Sequence, residues 1–217
     1  MEDVLDVYQR PYDPQRPVVC LDEKSKELRD TPRGALSAVP GQEAREDYEY
    51  ARHGTANLFL AVEPLAGRRT VCVTERRTAQ DFAAQLRRLV DADDADAERL
   101  VLVTDNLNTH RPACLYERFA PEEARRIARK IEWRRWVQRD TPEHGSWLNV
   151  AECELSVLAR QCLNRRIADC ETLVREVQAW EAERNAVEAT IDWQFTTADA
   201  RTKLKRLYPV IKEQNST

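Results

Sequence analysis

The chain has 217 residues, 42% hydrophobic and 33% charged, which suits one domain, or one domain with a short appendage, with enough apolar residues to bury a core under a heavily charged surface. A formal net charge of −4 argues against a uniformly basic nucleic-acid binder. No stretch approaches the roughly 18 apolar residues of a membrane span, and the N-terminus MEDVLDVYQR lacks a signal-peptide apolar region, so a cytoplasmic protein is expected.

Residues 2–9 suit a short helix, and the apolar run at about 17–22 suits a first strand. Residues 24–45 are polar and broken by Pro32, Gly34, Pro40 and Gly41, and read as a loop. Alternating Tyr48 and Tyr50 suggest an edge strand over about 46–52. TANLFLAVE at 55–63 reads as a buried strand, Pro64–Gly67 as a turn, and 69–75 as a further strand. From Thr78 the period changes: Phe82, Leu86, Leu89 and Val90 recur at helical spacing, with Thr78 as the N-cap. DADDADAE then reads as an acidic loop. RLVLVTD at 99–105 is continuously apolar, the pattern of a central strand covered on both faces. Residues 113–130 suit one or two helices, with Pro121 in a first turn. IEWRRWV at 131–137 alternates as a strand, and helices follow at 147–163 and 170–187. This order predicts an α/β fold with a mixed sheet flanked by helices. Ligands in such sheets sit beyond the carboxyl ends of the central strands.

Three acids stand in settings that suit metal ligands. Asp22 ends the apolar run VVCLDE, Asp105 ends RLVLVTDN, and Glu152 lies in the helical segment HGSWLNVAECELSVLARQCL. Two aspartates at strand ends and a glutamate on a helix are what a two-magnesium phosphoryl-transfer site requires, because hard divalent cations take carboxylate oxygens. Each acid also has an ordinary reading, a solvated strand end or a helix-surface residue. The helix does not decide the matter. Leu148, Ala151, Leu155, Leu158 and Cys162 form its apolar stripe, and Glu152 and Glu154 flank that stripe on opposite sides.

TPEHGSWLNVAE resembles the third catalytic block of bacterial DDE transposases, and the likeness is to the mariner-related insertion-sequence-630 family. VTDNLNTH is similar to the second block of that family and VVCLDEK to its first. EYARHGTANLFLAVEPLAGRRTVCVTERRTAQDFA, CLNRRIAD and TIDWQFTTADARTKLKRLYP resemble it as well, so the likeness covers residues 1–209 and leaves 210–217 as a polar tail. The resemblance implies a ribonuclease-H-like fold and a DDE triad of Asp22, Asp105 and Glu152, with Glu152 chosen over Glu154 by its place five after the Trp. It also implies two Mg²⁺ ions, for which Mn²⁺ substitutes, held by those three residues. A homodimer on DNA, bridging the element ends and the target, comes from the same source. A full transposase of this kind carries N-terminal helix-turn-helix units, and no recognition helix is visible here. A separate N-terminal helix-turn-helix protein is therefore a further expected partner.

Around the triad, Asn106, Asn108 and His110 follow Asp105, and they suit orienting DNA or a metal-bound water, or simply forming a turn. His144 and Ser146 precede the third block, with Ser146 as a helix cap, and Asn149 shares the face of Glu152 one turn earlier. Strand alternation should turn Glu23 away from the site. Trp147 suits a packing anchor. A G-x-S-x-G elbow and a P-loop are both missing from the sequence. The six cysteines form no C-x-x-C pair and no zinc-spaced cluster with His, so they read as reduced, buried thiols.

Charge is uneven along the chain. Residues 121–139 carry seven Lys or Arg against three Glu, and residues 1–50 hold twelve acids against seven bases. A basic face suffices for counter-ion release from a phosphate backbone. Arg125, Arg126, Arg129 and Lys130 form one candidate DNA-binding group, and Lys203, Lys205 and Arg206 another. The segment IEWRRWVQRDTPEHG is longer than the usual link into the third block, and it sets Asp105 and Glu152 47 positions apart. The function expected is metal-dependent nicking and strand transfer at element ends. Its alternatives are a non-catalytic DNA-binding or partner-binding remnant, and a ribonuclease-H-like nuclease.

Overall fold

The computed structural model describes residues 2–31, 35–36, 39–41, 45–46, 49–105, 107, 109–135 and 148–207. In chain order its elements are α1 (Glu2–Tyr8), β1 (Val18–Asp30), β2 (Ala35–Leu36), β3 (Arg45–Glu46), β4 (Ala51–Glu63), β5 (Arg68–Thr74), α2 (Ala79–Arg88), β6 (Leu100–Thr104), α3 (Cys114–Arg118), α4 (Pro121–Lys130), β7 (Ile131–Arg135), α5 (Val150–Leu158), α6 (Cys170–Ala186) and α7 (Thr197–Lys203). Five strands form one sheet in the order β5–β4–β1–β6–β7, and β2 pairs with β3 separately. The β1–β4 and β4–β5 pairings are antiparallel, while β1–β6 and β6–β7 are parallel. This is the mixed sheet flanked by helices that the strand and helix order predicts, and it agrees with the ribonuclease-H-like fold that the resemblance implies.

Alternation along the strands divides the core into two layers. Cys20, Leu58, Leu60, Val62, Val101 and Val103 point to one face and pack against α5 and α6 through Val150, Leu155, Leu158, Leu173, Val177 and Trp180. Val19, Leu21, Phe59, Ala61, Leu100 and Leu102 point to the other and meet Phe82, Leu86, Leu115, Ala124 and Ile127 of α2, α3 and α4. Each such side chain contributes about 1.5–3 kcal/mol on burial. All five residues of β6 are buried, as its unbroken apolar run requires.

β1 corrects the expected loop at 24–45. It does not stop near Asp22 but runs 13 residues to Asp30, paired with β4 from Cys20↔Val62 to Asp30↔Ala51. Beyond β6 this ribbon projects past the sheet, so its period-two signal is masked. Lys24 and Lys26 on one face and Ser25 and Glu27 on the other are all polar, and only Leu28 is buried. The expected edge strand at 46–52 is split, with 45–46 in β3 and 51–52 in β4. The acidic stretch is not wholly loop either. A π-type turn at Leu89–Asp93 extends α2, closed by Asp94 N–H donating to Leu89 O at 2.9 Å.

The local starts and stops obey ordinary rules. Thr78 caps α2 in a capping box with Asp81, and Pro121 opens α4. The turn before β5 needs Gly67, with φ +67°, because a Cβ there would strike the Glu188 backbone. Helix α5 is shorter than the predicted 147–163 and continues as a π-type turn at Ala159–Leu163. Its cap is Asn149, whose side chain accepts from Ala151 N–H at 3.1 Å, whereas Ser146 and Trp147 lie outside the described residues. The Tyr8 hydroxyl donates to Leu148 O at 3.0 Å and accepts from Val150 N–H at 3.4 Å, so α1 holds the start of α5. Its ring packs on Trp193 with centroids 5.1 Å apart.

Candidate active site

Parallel pairing of β1 and β6 matches Cys20 with Val103. Two residues further on come Asp22, on the face that carries α5, and beside it Asp105, whose charge helps to raise the Asp22 carboxyl. Asp22 is therefore a mid-strand residue flanked by β4, and Asp105 sits just past the end of β6. The N-terminus of α5 is tied to this pair: Asn149 Nδ2 donates to Asp22 Oδ2 at 3.1 Å. Glu152 lies in the first turn of α5, three residues after Asn149 and half-buried. Residues at that spacing share a helix face about 5–6 Å apart. The helix start also presents its positive dipole end to the aspartates.

Asp22 shows the cost of this arrangement. Burial raises its carboxyl from 3.8 to about 7, aided by the charges of Asp105 and Glu23 and opposed by the Glu23 backbone N–H and by His110. That N–H donates to Asp22 Oδ1 at 2.8 Å. Asp105 accepts from Leu107 N–H at 3.2 Å and meets His110 Nδ1 at 2.5 Å, both through Oδ1.

His110 is 1% exposed and stacks on Phe82 with centroids 4.2 Å apart. Its Nε2 lies 2.9 Å from Glu23 Oε2. That contact is an ion pair lying off the line of a good hydrogen bond, so both atoms lack a well-aligned partner. Burial alone would lower the imidazole. The Asp105 hydrogen bond and the Glu23 carboxylate outweigh it and lift the ring from 6.5 to about 9. At neutral pH the ring is an imidazolium clamped between two carboxylates, with no route for its nitrogens to reach DNA. Glu23 does point to the face opposite Asp22, as alternation requires, yet its carboxylate is buried against His110 and not solvated. Sequence reasoning missed this role. The available signal was an acid next to one strand-end aspartate and a His five residues after the other.

Periodicity left Glu152 and Glu154 equivalent, and packing separates them. Glu154 is 2% exposed, with Oε1 2.5 Å from Arg69 Nε and 3.0 Å from Arg184 Nη2. Arg69 is itself fully buried and also donates to the carbonyls of Gly67 and Ala189. Glu154 thus fastens α5 to β5 and α6, while Glu152 stands in the first turn of α5, three residues after the Asn149 that meets Asp22.

Of the other sequence candidates, Asn106, Asn108 and His144 lie outside the described residues. The α4 group is not brought to the aspartates. α4 ends where β7 begins, and Ile131 pairs with Leu100 at the start of β6, so Arg129 and Lys130 sit near the opposite end of the sheet. Two of the group are engaged: Arg126 forms a two-pronged pair with Asp91, and Lys130 Nζ donates to the carbonyls of Val90, Asp94 and Ala95. Arg125 and Arg129 are exposed. Lys203 pairs with Asp199 at 3.3 Å, and Lys205 and Arg206 are exposed. Their segment joins the start of α5 through a cluster of Leu5, Leu148 and Ala200.

Among the described residues, no three His, Cys, Asp or Glu side chains stand close enough to hold an ion as they are. The donor chemistry nonetheless fits a hard cation: the Asp105 charge helps to raise the proton affinity of Asp22, and a third acid stands on the adjoining helix.

A mixed five-stranded sheet thus brings Asp22 of β1 and Asp105 after β6 to one end, with the start of α5 beside Asp22. Residues 17–174 match the DDE superfamily endonuclease family, and the chain belongs to that family. None of the curated proteins matches it. Among solved structures it is similar to the mariner Mos1 paired end complex with Mg, with a TM-score of 0.53, 17% identity, and coverage of 88% of this chain and 54% of that one. The Mos1 strand transfer complex gives 0.52, 17%, 83% and 51%, and the Mos1 paired end complex with Mn gives 0.51, 18%, 87% and 55%. These likenesses confirm the fold, and the chain spans about half the length of those proteins. Among the described residues no helix is long and apolar enough to cross a membrane.

Proposed function

We propose that the chain is the catalytic domain of a bacterial DNA transposase, of the mariner-related insertion-sequence-630 kind, which nicks element ends and joins them to target DNA. The observation that carries this reading is the side-by-side placement of Asp22 and Asp105, with α5 and its Glu152 tied to Asp22 through Asn149. In this reading Asp22, Asp105 and Glu152 hold two Mg²⁺ ions, or Mn²⁺ in their place. The ions supply charge neutralisation and activation of the attacking and leaving oxygens of an in-line displacement.

The chain's own residues do the positioning. Asn149 fixes the Asp22 carboxylate and caps the helix that carries Glu152. His110, backed by Glu23 and Phe82, fixes Asp105 Oδ1. Arg69 and Arg184, through Glu154, hold α5 in register. Double-stranded DNA, a second copy of the chain on that DNA, and a helix-turn-helix unit reading the element ends are the partners this activity requires. The work is cytoplasmic, at the nucleoid.

The test is nicking and strand transfer of terminal-inverted-repeat DNA in Mg²⁺, with wild type and Asp105→Asn side by side. Product from the wild type alone is expected. Equal behaviour of the two proteins removes the catalytic claim and leaves a DNA-binding remnant, and cleavage confined to RNA–DNA hybrids points to a ribonuclease-H-like nuclease.

A further inference from the structure

We propose that the far end of the β1–β4 ribbon is a contact site for the phosphate backbone of duplex DNA, formed by Arg29, Arg52 and Arg166 around Tyr50. The inference rests on the transposase reading and deepens it, because it assigns that reading's DNA a surface outside the carboxylate site.

Three guanidinium groups from three chain segments converge on one exposed ring. Their carbons lie 4.6 Å (Arg29), 5.6 Å (Arg52) and 5.8 Å (Arg166) from the Tyr50 centroid. Arg29 and Arg52 are cross-strand partners, while Arg166 comes from the segment after α5 and donates to Thr31 Oγ1 and Glu49 O. Like charges this close repel, and a tyrosine face relieves only part of that. Glu27 meets both Arg29 and Arg52, the latter at 2.9 Å, so one carboxylate is shared between two guanidinium groups. Two neighbours register that field. The Tyr50 hydroxyl is lowered by the Arg52 hydrogen bond and by the charges of Arg52 and Arg29, and Lys26 is lowered by burial and then by Arg29. Guanidinium forks match phosphate oxygens in planar, two-pronged fashion. The Arg52 side chain is 66% exposed and within reach of such a partner.

Position selects the ligand. β1 runs from Asp22 toward Asp30 past the end of β6, so the cluster lies on the same end of the sheet as the carboxylates. Arg29 is seven residues beyond Asp22, about 23 Å at about 3.3 Å per residue. That matches about seven base pairs at about 3.4 Å each. Lys24, exposed and on the same face as Asp22, marks the path between. A duplex with a phosphodiester at Asp22 and Asp105 would lay its backbone along this ribbon. The α4 group sits near the opposite end and is largely engaged.

Fluorescence anisotropy of a 20-base-pair (roughly two helical turns) labelled duplex in EDTA, at several salt concentrations, reads binding without turnover. Arg52→Gln and Arg166→Gln should each flatten the slope of log K against log salt by about 0.9, and the double variant by about twice that. Glu27→Gln, which removes the compensating carboxylate and no arginine, should tighten binding. It therefore keeps the proposal exposed even if an arginine variant misfolds by circular dichroism. Unchanged slopes in folded arginine variants, or no tightening with Glu27→Gln, overturn the assignment. If the slopes hold while sedimentation shows a lost dimer, the cluster is a protein contact and the proposal is wrong. Altered slopes in a protein that never nicks DNA would sink the catalytic reading and leave this surface standing.

Discussion

Two groups of carboxylates occupy opposite ends of the same sheet, one buried and one partly buried. At one end, Glu63 and Asp94 share the guanidinium of Arg68. At the other, Asp22 and Asp105 have no Lys or Arg bonded to them among the described residues, and His110 touches only Asp105. Both ends hold an acid raised to about 7, Glu63 by burial and then by Asp94, Asp22 by burial and then chiefly by Asp105. The first group carries a counter-charge of its own in Arg68. The second is left deficient in positive charge, which suits the divalent cation that the proposed function brings to it.

The largest effect should come from breaking the deficient end itself. Asp105→Asn should lower nicking by about a thousandfold or more in protein that circular dichroism shows to be folded. A variant that retains activity would place the chemistry elsewhere. Next is the fastening behind it. Glu154→Gln leaves Arg69 buried without its carboxylate and should cost about 3–5 kcal/mol, read by urea denaturation. A loss below about 1 kcal/mol would show that Glu154 is not what holds α5.

Titration sharpens the contrast between the two ends. A carboxyl raised from 3.8 to about 7 keeps its proton in the folded state, so metal-free stability should fall as pH rises from about 4 to about 7 and level off above that. The full shift is discounted for partial exposure, giving on the order of 2 kcal/mol for Asp22. Glu63 should add a fall in the same window. Mg²⁺ at pH 8 should restore the Asp22 share alone. Melting curves of Asp22→Asn should lose the Mg²⁺ response, and those of Glu63→Gln should keep it. The reverse pattern would exchange the roles of the two ends.

His110 titrates in the opposite sense. Its stabilisation is complete below about 6.5 and is lost as pH rises through about 9. Glu23→Gln should bring the imidazole titration, followed by NMR, back toward 6.5, and an unmoved value would show that Glu23 does not bear on the ring. The smallest effect belongs to Asn149→Ala, which should cost about 1 kcal/mol through the lost helix cap. It should also weaken Mn²⁺ binding by isothermal titration, whereas a stability loss with unchanged Mn²⁺ affinity would reduce Asn149 to a cap.

The buried strands were legible because burial on both faces writes itself as an unbroken apolar run, as in RLVLVTD. The outer half of β1 was not legible, because a ribbon polar on both faces carries no alternation to read. Asp105 could be found from its strand end, whereas Asp22 ends only the apolar run and lies in mid-strand. Glu152 could not be told from Glu154 by spacing, since the difference lies in Arg69 and Arg184, which are distant in sequence. α7 went unread, although its TTAD start carries the capping-box spacing that the structure uses. The basic residues of α4 were visible as charge, but their engagement by Asp91 and three carbonyls is a tertiary fact.

The Tyr8 hydroxyl sits between Leu148 and Val150 and props the start of the helix that carries Glu152. An expression boundary drawn at the first strand would trim away that prop, together with the Val4 and Val7 side chains packed behind it. Such a shortened protein would keep every acidic residue discussed above and still present one of them askew, so inactivity in a trimmed version would speak about its missing first turn of helix and not about the chemistry.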